Sequence, residues 1–232
     1  RNRVIKLGES PDSVFTVGAA GIDNIKRLNL LSRKQLEKSI NFKLGKRNLL
    51  ITFHPVTLEN STAEKQFSHL LSALTKLDNI HFLFTKANAD TNGRIINRMI
   101  DDYVEAYPEK AIAYTSLGQL RYLSAMKYMN GVVGNSSSGL LEAPSLKVGT
   151  INIGDRQRGR IKAMSVIDCS PITEEIDTAF KMLFSSSFID KVKNVVNPYG
   201  EGGVAEKIVQ VVKKYPLEGI LKKKFHDVKF SK

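Results

Sequence analysis

The sequence predicts an α/β protein: a doubly wound, Rossmann-like parallel sheet with helices on both faces. Three observations predict it. Short runs of β-branched and aromatic residues recur at 49–53, 80–85, 111–115, 131–133, 148–153 and 164–167. They are apolar along nearly their whole length, as strands covered on both faces must be. Between them lie segments with helical spacing, at 63–77, 93–107, 117–127, 139–146, 173–184 and 204–214. Strand–helix repetition of this kind implies crossover connections and a parallel sheet. Finally, the polar and glycine-rich motifs cluster just after the strand-like runs, where open parallel sheets bind ligands.

Each element has a local reason. In 63–77, Phe67, Leu70, Leu71 and Leu74 share one helical face. Residues 15–24 (FTVGAAGIDN) read as a strand followed by a glycine-punctuated turn. Residues 32–40 read as a short helix with Ser32 as N-cap. The chain opens on RNRVIKLGES, without an initiator Met or an apolar signal core, which reads as a fragment of a longer protein. The expected organisation is the end of a preceding Rossmann-like domain at 1–27, a linker at 28–47, the main domain at 48–214 and a basic tail at 215–232.

Composition narrows the function classes. With 42% hydrophobic and 25% charged residues over 232 positions, a real core is expected. No apolar run reaches the roughly 20 residues that span a bilayer. Cys169 is the only cysteine, so no intramolecular disulfide forms and a reducing, cytoplasmic location is expected. That thiol reads as a small apolar residue after a strand, with a nucleophile as the alternative. The net charge of +12 favours anionic partners. Much of it crowds the last twenty residues (Lys213, Lys214, Lys222, Lys223, Lys224, Lys229 and Lys232), where a solvated tail competes with a nucleic-acid arm. Basic and aromatic residues do not interleave as an RNA-binding sheet requires, so neither nucleic acid nor membrane is the expected partner.

The candidate site lies in the segments that leave the strands. After the first core strand comes HPVT, where His54 serves as general acid or base, or as a structural histidine bonded to the loop. After the second comes TKANADTNG, with Lys86, Asn88 and Asp90 in one loop; Asp90 or Thr91 is also a candidate helix cap. The strongest motif is GNSSSGLLEAP at 134–144. A strand feeds a turn holding Ser136, Ser137, Ser138 and Gly139, then a helix, an arrangement suited to a diphosphate. It lacks the GK[ST] of a Walker A loop and the GxGxxG spacing of a dinucleotide turn. Glu142 comes next, at a distance where a carboxylate accepts from ribose hydroxyls. A serine-rich cap with a surface glutamate is the plainer alternative. NIGDRQRGR at 152–160 adds Arg156, Arg158 and Arg160, whose guanidinium groups suit phosphate or simply solvent. NPYGEGGVAEKIV at 197–209 is a glycine-rich helix entry, set by packing or serving as a joint.

Taken in order, GxxGID, FHPVT, the NxD loop, GNSSSGxxE, NIGxRQxGR and NPYGEG resemble the UDP-N-acetylglucosamine 2-epimerases over roughly residues 3–214. TFHPVT stands where the non-hydrolysing branch carries a GHRRE-like stretch, so the likeness is to the hydrolysing, sialic-acid branch. The resemblance implies the C-terminal half of a two-domain fold of the B-type glycosyltransferase kind. It implies His54 in the active site, and Asn88 and Asp90 along the nucleotide pocket. Ser136, Ser137 and Arg156 would hold the diphosphate, Glu142 the ribose, and Arg160 would stand nearby. Leu141 departs from an arginine found in some relatives. The implied chemistry is loss of UDP across C1–C2, then addition of water to the glycal, giving N-acetylmannosamine; it calls for no metal and no cofactor. The implied partners are UDP, a UDP-N-acetylhexosamine and an N-terminal domain that supplies the proton-moving carboxylates. The fragment alone is expected to be inactive. Homo-oligomerisation and the exact sugar, including a 4-acetamido-4,6-dideoxy relative, stay open. A half of a B-type glycosyltransferase and a basic nucleic-acid module are the competing readings.

Overall fold

A computed structural model describes residues 1–56, 62–88 and 91–228. Asp90, expected at the nucleotide pocket, and Lys229 and Lys232 of the basic tail lie outside the described residues. The chain divides into two compact units, Arg1–Lys26 with Tyr199–Lys232, and Arg27–Pro198.

The smaller unit opens with α1 (Asn2–Lys6) and α2 (Gly21–Arg27). No strand forms at Phe15, where the sequence predicts one, and the glycine-punctuated segment after it winds into α2. The apolar Phe15–Val17 run instead packs without a sheet partner, with Phe15 edge-on to Tyr215 at 5.9 Å.

The larger unit carries α3 (Arg33–Ser39), β1 (Arg47–Thr52), α4 (Ala63–Thr75), β2 (Ile80–Thr85), α5 (Thr91–Ala106) and β3 (Ala111–Tyr114). It continues with α6 (Gly118–Lys127), β4 (Gly131–Gly134), α7 (Ser138–Leu141), β5 (Gly149–Ile153), β6 (Val166–Cys169), α8 (Thr173–Leu183) and α9 (Ser186–Lys193). The last helix, α10 (Val204–Lys214), returns to the smaller unit.

Segment 28–47, expected as a linker, is structured. Ser32 forms a full capping box with Gln35 at the start of α3. Leu36, Ile40 and Leu44 are buried in a core cluster of the larger unit. The three apolar residues at helical spacing were the sign that this stretch offsets its ordering entropy by burial.

All six strands run parallel, as the sequence predicts, and their order is β3-β2-β1-β4-β5-β6. Alternation along each strand divides the core. Leu49, Ile51, Phe53, Phe82, Phe84 and Val133 face one layer, with residues of α4, α5, α8 and α9. Leu50, Leu83 and Val132 face the other, with α3 and α6. Continuous apolar strands are therefore two half-sets serving two helical layers. The winding reverses at β1: β2 and β3 extend the sheet one way, and β4, β5 and β6 the other. The crevice between the ends of β1 and β4 is the topological switch point, where doubly wound sheets seat ligands.

The two motifs at either end of the chain meet inside the smaller unit. The buried carboxylate of Asp23, from GAAGID, accepts from the N–H groups of Val204 at 3.1 Å and Ala205 at 2.9 Å. It thereby caps α10, satisfying amides that a helix start leaves orphaned. Ala19 N–H donates to Tyr199 O at 2.9 Å. The tail beyond α10 also returns within this unit: His226 N–H donates to Gly8 O at 2.9 Å, and Lys223 pairs with Glu9 at 2.5 Å.

Candidate functional site at the switch point

Register brings the strand ends into line. Thr52 of β1 lies opposite Thr85 of β2 and Gly134 of β4, and Gly134 lies opposite Asn152 of β5. The loops carrying His54, Asn88, the serines and the arginines therefore all leave the same sheet edge.

Gly134 makes the β4 turn feasible. Its φ is +133°, and a Cβ there would stand 1.9 Å from Thr52 O. With no Cβ the chain passes against β1, and Asn135 N–H donates to Thr52 O at 3.1 Å. Asn135 then becomes the hub of the edge. Its side chain and the His54 backbone bond reciprocally: His54 N–H donates to Oδ1 and Nδ2–H donates to His54 O, both at 2.7 Å. Its carbonyl accepts from Arg156 Nη1 at 3.1 Å and from buried Gln157 Nε2 at 2.7 Å. Three loops from β1, β4 and β5 are thus tied at one residue. Sequence reasoning passed over Asn135 in favour of its serine neighbours. The signal was present, since an amide directly after the turn glycine can serve both donor and acceptor.

The expected site residues fall into distinct environments. His54 is half-buried beside Asn135. Ser136 and Ser137 are half-buried on the turn, whereas Ser138 and Gly139 are buried. The Ser138 hydroxyl is engaged within the protein, 2.6 Å from Tyr122 Oη and donating to Ser136 Oγ at 3.1 Å. Gly139 is pressed on β5: a Cβ would lie 2.5 Å from Thr150 Cγ2, and Thr150 Oγ1–H donates to Gly139 O at 2.8 Å. Arg156 and Arg160 are exposed, and Arg156 is the one bonded to Asn135. Asn88 is exposed after β2. Lys86 in the same loop pairs with Asp101 at 2.6 Å, so its charge is directed along α5.

The helix after the serines is shorter than the sequence predicts. It is a single α-turn, Ser138–Leu141, followed by a 3-10 turn, Ala143–Leu146, with Pro144 early in it. The turn therefore offers no long helix dipole; what stands beside it are discrete hydroxyl and guanidinium groups. Glu142 sits between the two turns. Its Oε2 is buried without a hydrogen-bond partner, and burial pushes its carboxyl up to about 7.

A pocket of about 540 Å³ opens beyond the ends of β4–β6, lined among others by Asn135, Gly154, Arg158, Lys162 and Glu175. It shares Asn135 with the serine turn but excludes Ser136 and Glu142. Cys169 also lines it, with its thiol pushed up to about 12 by burial and by nearby Glu175 and Asp168. The thiol also packs against the core cluster of the larger unit, in keeping with the apolar reading. Among the described residues, no group of three or more His, Cys, Asp or Glu could hold a metal ion, and no helix is long and apolar enough to cross a membrane.

A doubly wound parallel sheet with polar loops gathered at its switch point defines a ligand-binding α/β domain of Rossmann type. The chain belongs to the UDP-N-acetylglucosamine 2-epimerase family, whose description matches residues 1–213. Among its relatives is the GDP/UDP-N,N'-diacetylbacillosamine 2-epimerase (hydrolyzing) of Campylobacter jejuni, 41% identical over 98% of this chain and 59% of the relative. Another is the polysialic acid biosynthesis protein P7 of Escherichia coli, 39% identical over 93% of this chain and 54% of the relative. The chain thus spans somewhat over half the length of these curated relatives. Of solved structures, the Neisseria meningitidis UDP-GlcNAc 2-epimerase bound to UDP-GlcNAc matches with a TM-score of 0.75 at 20% identity, over 92% of this chain and 58% of that one. The S. aureus MnaA–UDP structure matches with 0.72 at 18% identity, over 98% and 61%. At those identities the likeness is one of fold.

Proposed function

We propose that this chain is the UDP-binding half of a hydrolysing UDP-N-acetylhexosamine 2-epimerase, and that UDP lies in the crevice between β1 and β4. The observation that carries this reading is the Asn135 hub, which gathers His54, the serine turn and Arg156 at the switch point. On this reading Ser136, Ser137 and Arg156 hold the diphosphate, and Asn88 and Asp90 line the nucleotide pocket. His54 moves a proton or steadies charge on the departing diphosphate. The reaction is loss of UDP across C1–C2 of the sugar, then addition of water to the glycal with inversion at C2. UDP-N-acetylglucosamine giving N-acetylmannosamine is the first reading of the sugar. UDP-N,N'-diacetylbacillosamine is the second, favoured by the name of the Campylobacter jejuni relative.

Calorimetry with UDP, TDP and GDP tests the reading directly. UDP should bind most tightly, and the Ser136→Ala/Ser137→Ala double variant should lose roughly 1–3 kcal/mol, the range for hydrogen bonds to charged groups. Unchanged UDP affinity in a folded double variant rejects the placement of the diphosphate.

The Glu142 carboxyl adds a pH signature. To accept two ribose hydroxyls it must be ionised, yet burial favours its neutral form up to about 7. Binding then expels a proton, so affinity for UDP should rise between about pH 6 and about pH 8. Glu142→Gln should remove that part of the pH dependence and weaken UDP more than inorganic pyrophosphate. Equal losses for both ligands would show that Glu142 supports the fold and does not read the ribose.

A further inference from the structure

We propose that Tyr122 is a positioning residue that polarises a hydroxyl relay, turning the Ser136 proton out toward the bound diphosphate. The proposal rests on the reading that the diphosphate lies over the serine turn.

The direction of the relay comes from counting protons and lone pairs. Ser136 Oγ accepts from Ser138 N–H at 3.3 Å and from Ser138 Oγ–H at 3.1 Å. A hydroxyl oxygen has two lone pairs and one proton. With both lone pairs used, Ser136 has only its proton left to offer. Ser138 has given its own proton to Ser136, so in its 2.6 Å contact with Tyr122 it must accept, and Tyr122 must donate. The chain therefore runs Tyr122 to Ser138 to Ser136, and ends on a hydroxyl able only to donate. A terminus of that kind suits an acceptor, and a charged phosphate oxygen is the strongest one.

Tyr122 is placed to keep this direction. It stands on α6, and burial holds its phenol above the ordinary tyrosine range, against the pull of the Ser138, Thr52 and Ser136 hydroxyls beside it. The phenol therefore keeps the proton that the count requires it to donate. Without it, the Ser138 oxygen is an unmet acceptor next to Ser136. The Ser136 proton then turns inward to Ser138, and the turn presents a lone pair to the diphosphate. Local sequence could not reveal this, because the Tyr122–Ser138 contact joins residues sixteen apart on different elements.

The test is a double-mutant cycle on the intact chain. Tyr122→Phe should weaken UDP roughly three- to tenfold, the scale of one hydrogen bond to a charged group. Binding of uridine, which has no phosphate, followed by ligand-observed NMR, should not change. In a Ser136→Ala background, Tyr122→Phe should cost nothing further, because the relay has lost its terminus. Ser138→Ala interrupts the same relay at its middle and should reproduce the phosphate-selective loss, which covers the case in which Tyr122→Phe does not fold. Equal weakening of UDP and uridine, or an undiminished Tyr122→Phe loss in the Ser136→Ala background, would overturn the proposal in favour of a packing role. If Ser136→Ala itself leaves UDP affinity intact, the placement of the diphosphate fails; if Ser136→Ala weakens UDP and Tyr122→Phe does not, the relay alone fails.

Discussion

Gly134→Ala is expected to destabilise the chain by about 3–5 kcal/mol, among the largest effects available to a one-methyl change. Two costs add. The backbone holds φ at +133°, a conformation that L side chains rarely adopt, and the new Cβ would stand 1.9 Å from Thr52 O. The obstacle is backbone in the central strand β1, so no rotamer change relieves it. Either β4 separates from β1 or the turn is displaced. Displacement breaks the Asn135–Thr52 bond and with it the hub that joins three loops. The urea midpoint should fall sharply, and UDP binding should fall with it. A midpoint close to that of the unaltered chain would mean the turn has room that the structure does not show. Gly118→Ala provides a comparison: φ there is +64°, but no atom lies within 4 Å of the added Cβ, so strain alone acts and the loss should be much smaller.

Chain 1–232 alone is expected to bind UDP yet turn over UDP-N-acetylglucosamine at least about a hundredfold more slowly than the protein extended to the length of its relatives. The chain spans 59% and 54% of two of them. The polar groups gathered at the switch point all belong to one sheet edge. On the proposed reading, the carboxylates that move protons lie outside residues 1–232. A displacement of 1 Å can already cost about a hundredfold, and an absent opposing wall leaves the sugar unrestrained and exposed to water. UDP release over hours at high protein concentration measures this. Robust turnover would place the proton-moving groups within these residues and overturn the assigned roles. Supplying the remainder in cis should restore release of UDP and free N-acetylmannosamine, or of the corresponding diacetylated sugar. A new glycosidic bond as product would instead indicate a glycosyltransferase. In the restored enzyme, His54→Ala should lower turnover more than affinity, and Arg156→Ala should lower both.

Sequence by itself determined the sheet, its parallel sense and the edge at which the polar loops gather. Strands such as 80–85 were legible because a strand buried on both faces has to be apolar throughout, and its neighbours in sequence had to be helices long enough to cross over. Ser32 was legible as a cap because capping is local. The serines, Glu142 and Arg156 could be singled out because each comes after a strand, and the fold class places strand ends together. Tertiary structure decided the rest. The Phe15 segment has the residues of a strand but no strand to pair with, so its apolar side chains pack without a sheet. Segment 28–47 became part of the core because Leu36 and Ile40 found a cluster contributed by β1, β2 and α6; their helical spacing marks a face to bury, but not the elements that bury it. The helix after the serines stopped after one turn, with a 3-10 turn and Pro144 taking over. Asn135 and Tyr122 owe their roles to partners 81 and 16 residues away. Hydrogen-bond direction, burial of a carboxylate and the match of donor to acceptor are properties of distances between chain segments, and those distances exist only once the chain has folded.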